Sequence, residues 1–225
     1  MQQIVFYVSA IILGYTVVVD PLAVAMSFVW SWVLGVTVIS AYYHRYLAHR
    51  GWYCPKPLET LMLILGAGHC LMPAIGWVNV HLQHHRFTDT EKDPHGPIRS
   101  LLHNFNIAMN EFQMRYVTRS ITNNKLVLLQ ANYYWLIMII YFVIWSYMFG
   151  AVSWFVVNGI VYLSLVSVNM LGHWRLKPRN IPVLALMLTS EMYHKNHHNN
   201  ASNPRFGALD PSWWFILLVQ RFQKI

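Results

Sequence analysis

The sequence predicts an all-α membrane protein: four transmembrane helices, arranged as two hairpins, capped by a cytoplasmic helical region that carries a dimetal site. Three observations lead to this fold class. The 225 residues are 56% hydrophobic and only 11% charged, which is a membrane composition. Two long apolar blocks, 4–43 and 132–172, contain a single charged residue between them, Asp20. Clusters of histidine lie outside both blocks.

Charge and cysteine content exclude several other classes. The formal net charge is +8, but the basic residues form no continuous run, so we expect no nucleic-acid partner and assign the charge to membrane orientation. Cys54 and Cys70 lack the spacing of a zinc-thiolate site, and we expect no disulfide framework. No repeat or low-complexity tract divides the chain. Residues 1–225 are therefore predicted to form a single membrane domain.

The first apolar block predicts a helical hairpin. Residues 4–19 are uncharged and end at Asp20-Pro21, where proline can begin a helix but cannot continue one. The N-terminus lacks the basic region and cleavage site of a signal peptide, so this helix is expected to be retained. Residues 22–43 form the second transmembrane helix, since about 22 residues cover a hydrocarbon core of ~30 Å.

Residues 58–78 are apolar enough to suggest a further crossing, but the positions of the histidines argue against it. A crossing would separate His44 and His49 from the histidines that begin at His81. The segment is also interrupted by Gly66, Gly68, His69, Pro73 and Gly76, and broken backbone in lipid is tolerated only where protein covers it. We therefore predict a re-entrant or interfacial segment.

The second apolar block predicts transmembrane helices at 132–149 and 152–172, with a tight turn between them. All 16 Lys and Arg residues lie in 45–125 or 175–224. By the positive-inside rule, the histidine clusters and both termini of this multi-pass protein face the cytoplasm.

Three shorter segments are expected at the cytoplasmic side of the membrane. Residues 98–116 show one apolar helical stripe, typical of a helix on the membrane surface. Residues 181–190 are too short to cross, so we predict a cytoplasmic helix that begins near Pro182 and continues through the last histidine cluster. Residues 211–222 contain Trp213 and Trp214 and are interpreted as an interfacial anchor.

The histidine clusters have the spacing of metal ligands. His81, His84 and His85 stand at i, i+3 and i+4, which places them on one face of a helix. The same spacing recurs at 194, 197 and 198, and His44 and His49 lie upstream. A single histidine is most often an ordinary core or surface residue. Three clusters in so apolar a chain favour a metal site.

These clusters resemble the HxxxxH, HxxHH and HxxHH boxes of the integral-membrane fatty acid desaturases. The segment from Asn169 to His173 is similar to that family's NxxxH element. The resemblance is strongest to the delta-9 acyl-CoA and acyl-lipid branch, because arginine follows His44 and His49 and because Asp93-Pro94-His95 follows the second box.

The resemblance implies nine histidine ligands, with Asn169 reaching the metal through water. The ligands are His44, His49, His81, His84, His85, His173, His194, His197 and His198. Nine imidazoles exceed the coordination number of any single first-row ion, which favours two metals. A closed zinc site would want only four ligands. The resemblance implies two iron ions.

The implied activity is insertion of a cis double bond, expected at delta-9, into a saturated acyl chain with O2 and two electrons. The acyl carrier is left open among CoA, acyl-carrier protein and a membrane lipid. The sequence shows no fused cytochrome b5 domain, so an external donor, a ferredoxin or a cytochrome b5-like protein, is expected. Bond position, chain-length preference and oligomeric state are not determined by the sequence.

Further residues are expected to support the metals and the substrate. Metal-bound histidines usually pass their second ring N–H to a carboxylate, and the candidates are Glu191, Asp89, Glu91 and Asp93. Trp32 stands twelve residues before His44, which is roughly 18 Å along the helix. In the resembled family a bulky side chain at about this depth closes the far end of the acyl tunnel, and the resemblance implies this role for Trp32. His69, His95 and His103 are treated as structural, although His95 is also considered for contact with the polar head of the substrate.

Two other functions are weighed against desaturation. A membrane diiron hydroxylase, ketolase or alkane monooxygenase shares the histidine-box pattern and differs in its product. A haem-carrying or metal-transport protein would place ligands within the bilayer. The latter is disfavoured because 4–43 and 132–172 contain no histidine.

Overall fold

The computed structural model describes residues 2–97 and 115–223, and within these ranges every regular element is a helix. The predicted surface helix at 98–116 falls almost wholly outside the described residues, and so does His103. The helices are α1 (Gln2–Val19), α2 (Pro21–Leu34) with a π-helical continuation (Gly35–Ala48), α3 (Lys56–Gly68), α4 (Ala74–Phe87), α5 (Arg119–Thr122), α6 (Lys125–Asn132), α7 (Tyr134–Phe149), α8 (Ala151–Gly172), α9 (Pro182–Ala185), α10 (His194–Asn199) and α11 (Pro211–Gln223).

Two of the described helices are long and apolar enough to cross a membrane: Pro21–Ala48, with 28 residues, and α8, with 22. A third span results if α6 and α7, which meet at a bend of 73°, are taken together. α1 is apolar but shorter. These helices confirm an all-helical membrane class, whereas four crossings and a cytoplasmic cap remain predictions.

The start of α2 follows the expected local chemistry. Pro21 occupies the first turn, where its missing N–H costs nothing, and the Asp20 side chain accepts a hydrogen bond of 3.0 Å from the Ala23 N–H. The helix then continues past residue 43, where the sequence predicts its end, as a π-helix to Ala48. α1 and α2 both pack against α8.

The segment predicted to be re-entrant contains a break between α3 and α4. Each helix is shorter than the ~20 residues that a crossing needs. Side chains from the C-terminal half pair with the backbone around the break: Trp154 donates to Gly68 O (2.9 Å), Tyr162 donates to Cys70 O (3.1 Å), and Tyr134 accepts from Met72 N (3.1 Å). Protein therefore covers the broken backbone, as a re-entrant segment requires.

A buried ion pair attaches α11 to the π-helix. The guanidinium of Arg45 lies 2.9 Å from Asp210 Oδ1 and 3.7 Å from the centre of the Phe206 ring. Asp210 also accepts hydrogen bonds from the Phe206 and Trp213 backbone N–H groups. One carboxylate thus holds the start of α11, the preceding loop and the π-helix together.

The continuous helix predicted from Pro182 through the last histidine cluster is wrong. α9 ends at Ala185, and α10 begins only at His194. Thr189 and Ser190 between them have positive φ angles of 59° and 71°, a conformation that interrupts a right-handed helix. The helical spacing of Met187, Glu191, His194 and His198, which favoured this prediction, does not correspond to one helix.

Candidate metal centre

The structure gathers all nine predicted histidines into two adjacent groups of ring nitrogens, each group spanning no more than 4.8 Å. The first group contains His44, His49, His81, His85 and His197, and the second contains His84, His173, His194 and His198. Six of the nine residues are buried, and His49, His85 and His198 are half-buried.

The π-helix explains how His44 and His49 reach the same group. On an α-helix, residues five apart point about 140° away from each other. In a π-helix, i→i+5 bonding makes the same spacing close to one full turn, and His49 N donates to His44 O at 3.2 Å. The two ring centres lie 5.1 Å apart. The sequence analysis did not predict this π-helix.

Each HxxHH box divides its histidines between the two groups. On α4, His81 and His85 join the first group while His84 joins the second. On α10, His197 joins the first group, and the remaining two histidines of the box join the second. The sequence predicts one shared direction for each box. The structure differs because consecutive residues on a helix diverge by about 100°, so adjacent histidines serve different groups.

The closest contacts within each group all join Nε2 atoms. In the first group His44–His197 is 2.9 Å, His49–His81 is 2.8 Å and His197–His85 is 2.7 Å. In the second group His173–His194 is 2.7 Å and His194–His198 is 3.2 Å. If two nitrogens each lie ~2.1 Å from one ion and their bonds to it meet at a right angle, the two nitrogens lie about 3.0 Å apart. The observed spacings therefore suit ligands of one ion.

Hydrogen bonding at the other ring nitrogen argues for a cation between His173 and His194. His173 Nδ1 donates to Asp89 at 3.2 Å, and His194 Nδ1 donates to the backbone oxygen of Glu191 at 3.1 Å. A neutral ring that donates from Nδ1 carries a lone pair on Nε2, so two lone pairs face each other. Burial lowers the pKa of His194 to about 3 and that of His173 to about 4, so at neutral pH the cation that fits is a metal rather than a proton.

Three of the four predicted carboxylates accept from ring N–H groups. Glu191 lies 2.7 Å from His44 Nδ1, and both oxygens of Asp93 lie within 3.0 Å of His84 Nδ1. Asp89 makes the contact with His173 described above. Glu91, the fourth candidate, is exposed.

The Glu191 carboxylate is held in its charged form. Burial alone would raise its pKa, but the His44 ring, the Arg45 guanidinium and a hydrogen bond from the Ser40 hydroxyl hold the pKa at about 2. The pKa of Asp89 is raised to about 6 by burial and by Asp93. Both side chains are therefore ionised at neutral pH and accept hydrogen bonds from the ring N–H groups.

An apolar cavity leads from the histidines along α2 and α8. His44, His84 and His194 line one end of it, and Asn169 on α8 lines it four residues before His173. Trp32 also lines it, and its indole N–H donates to Leu186 O. The predicted distance of 18 Å from Trp32 to His44 assumes an α-helix, whereas the helix is π-helical from Gly35 onward.

Several aromatic neighbours of the histidines were not selected from the sequence. Trp77 stacks on His81 with ring centres 5.0 Å apart, and Phe206 lies 4.7 Å from His197. His95, treated as structural, stacks on His84 at 4.2 Å and lines the cavity, and its buried Nδ1 has no hydrogen-bond partner among the described residues. Trp77 could have been found, because it stands four residues before His81 on one helix face. Phe206 has no such local signal.

Comparison with known proteins gives a consistent set of relatives, although no family model matches the chain. The Delta-9 desaturase-like 5 protein of Arabidopsis thaliana is 31% identical in an alignment of 203 positions, which covers 79% of this chain and 67% of that protein. The chain belongs to the fatty acid desaturase family. The desaturase is therefore an oxidoreductase of lipid metabolism, and its histidine clusters are compatible with a metal site.

Other relatives differ in the reaction that their names state. Delta-9 acyl-lipid desaturase 1 of Arabidopsis thaliana is 30% identical to this desaturase in an alignment of 212 positions, which covers 83% of this chain and 68% of that protein. The Acyl-CoA C20 Delta5-desaturase of Anemone leveillei is 28% identical in an alignment of 219 positions, which covers 84% of this chain and 68% of that protein. The desaturase spans about two thirds of the length of these relatives. Bond position and acyl carrier differ between them.

Proposed function

We propose that this desaturase inserts a cis double bond at delta-9 into a saturated acyl chain, with O2 and two electrons, at a histidine-ligated diiron centre. The observation that carries the proposal is the division of nine imidazoles into two adjacent groups at the end of one apolar cavity. That arrangement suits two ions facing one acyl chain.

The five imidazoles of the first group would hold one iron, and the four of the second group would hold the other with Asn169 acting through water. Bound iron would supply the oxidising power, drawn from O2, that an unactivated methylene requires and no side chain provides. Glu191 keeps a proton on His44 Nδ1, and Asp93 keeps one on His84 Nδ1, so that each ring presents its Nε2 lone pair inward. Apolar cavity residues, Ile39 and Leu165 among them, hold the acyl chain and exclude water.

The proposed topology has four crossings, at 4–19, 22–43, 132–149 and 152–172, with 58–78 re-entrant within a single domain. The histidine groups and both termini then face the cytoplasm, where a ferredoxin or a cytochrome b5-like protein supplies electrons. CoA, acyl-carrier protein and a membrane lipid are the candidate acyl carriers.

Expression in a host with a compatible electron donor is the test of the function. We expect a new monounsaturated fatty acid, with mass spectrometry of its derivatives locating the bond at C9–C10, and purified protein carrying two iron ions per chain by elemental analysis. His194→Ala is the negative control, because it removes a nitrogen from the second group. A hydroxy acid in place of the alkene would contradict the proposal and indicate a membrane diiron hydroxylase.

Trp32 is expected to restrict the length of the acyl chain. Trp32→Ala removes bulk from the cavity wall, so the ratio of longer to shorter unsaturated products should rise about tenfold, since one methylene in an apolar pocket discriminates by at least that factor. Chain lengths are measured by gas chromatography of total fatty acids. Trp32→Phe is the matched control, since it keeps most of the bulk but cannot donate to Leu186. An active Trp32→Ala enzyme with unchanged product lengths would contradict the role.

A further inference from the structure

The cavity does not end at Trp32. Ser31, the residue before Trp32, and Phe28, one turn further from the histidines on α2, line it too, as does Met187. Phe28 is 38% exposed and Met187 is 57% exposed. Residues that border both the cavity and the outside of the protein mark a place where the two meet. The far end of the cavity therefore reaches the surface beyond Trp32.

The wall of the cavity is closed on the histidine side of this opening. At Gly35 there is no room for even a Cβ atom, which would overlap Thr189 Cγ2. One turn earlier on α2, towards Phe28, the Trp32 indole N–H donates a hydrogen bond to Leu186 O and holds the 186–189 segment against the helix. Among the described residues that line the cavity, only Phe28 and Met187 are exposed.

The surroundings of the opening are apolar. Val183 is 84% exposed, and Met26 and Val29 beside Phe28 are also exposed. Neither 21–43 nor 181–190 contains a charged residue. Phe28 lies sixteen residues before His44, within the proposed second crossing. An opening with these neighbours faces hydrocarbon rather than water.

We propose that the acyl cavity opens sideways into the bilayer between Phe28 and Met187, so that the size of the side chain at position 187 decides whether a long acyl chain can extend through this outlet. The inference rests on the proposed function in that the occupant is an acyl chain. A chain longer than the enclosed cavity passes Trp32, and its methyl end leaves the protein into lipid. Trp32 is then a constriction within the passage rather than its closed end.

Substitution at the outlet tests this arrangement. Met187→Trp is expected to block the opening and to lower the ratio of the longest to the shortest unsaturated product by at least about tenfold, the discrimination that one methylene provides. Val183→Trp introduces the same side chain four residues away, at a position that does not line the cavity, and should leave the product profile unchanged. Desaturation by Met187→Trp with the wild-type profile would overturn the inference.

Photolabelling of the purified wild-type protein tests the outlet without catalysis. A C18 fatty acid with a diazirine at its methyl end should label Phe28 and Met187, and excess stearic acid should suppress that labelling. Labelling of Ile11, which is exposed on α1, reports chance contact and should persist under competition. If competable label falls only between Ser31 and Ile39, the cavity is closed and the inference fails. This result is independent of the proposed function, which fails instead if the wild-type enzyme yields no unsaturated product.

Discussion

Glu191→Gln is expected to lower iron affinity and desaturation by about 10–100-fold, the usual cost of removing a hydrogen-bond partner of a metal-bound histidine. Glu191 is in contact with both groups, through its carboxylate to His44 and through its backbone oxygen to His194. Glutamine can present its NH2 group to His44 Nδ1 and favour the wrong tautomer. Iron per chain after dialysis against a chelator, measured by elemental analysis, is the readout.

Asp93→Asn and Asp20→Asn are matched comparisons for Glu191→Gln. Asp93 contacts His84 of the second group, so its replacement should preferentially weaken the ion of that group. Asp20→Asn removes the same charge at an exposed position, retains a capping side chain and should leave iron content unchanged. Glu191→Gln protein that keeps both ions as tightly as the wild type would show that the carboxylate does not orient the site.

Asp210→Asn is expected to destabilise the fold by about 3 kcal/mol, at the lower end of the range for breaking a buried ion pair. The side chains of Arg45 and Asp210 are both fully buried. Without the carboxylate, the nearest remaining acidic oxygen to Arg45 is that of Glu191, at 3.9 Å. The guanidinium would then stay buried with poor compensation. Unfolding by denaturant in detergent, followed by tryptophan fluorescence, measures the loss.

The double substitution Arg45→Met with Asp210→Leu separates charge from packing. It removes both charges, so we expect it to be less destabilising than Asp210→Asn alone. Because Arg45 and Asp210 are in direct contact, the changes in unfolding free energy caused by the two single substitutions should not sum to that of the double substitution. An Asp210→Asn protein with the denaturation midpoint of the wild type would mean that the ion pair contributes nothing to the attachment of α11.

The histidines could be selected from the sequence because their spacing is local, whereas their division into groups could not. Whether His84 and His85 share a group depends on which helices face them, and those helices come from distant parts of the chain. The π-helix has no local signal either, since its i→i+5 bonding is maintained by packing against α3, α4 and α11.

The error at 181–190 has the same physical origin. The helical spacing of Met187, Glu191, His194 and His198 favoured a helix. Thr189, however, adopts a left-handed conformation against Gly35, more than 150 residues away. Tertiary contact therefore outweighed local preference. By contrast, Asp20 and Pro21 begin α2 as predicted, because capping involves only neighbouring residues.

The break between α3 and α4 constrains the order in which the chain can assemble during synthesis. Its backbone partners Tyr134, Trp154 and Tyr162 are translated long after the break itself, and the N-terminal portion of a chain emerges first. Until α7 and α8 have been made, the Gly68, Cys70 and Met72 backbone groups lack these side-chain partners, so we expect this segment to remain near an aqueous surface. The histidines of α4 are thus brought to those of α10 only after the last long apolar helix has been inserted.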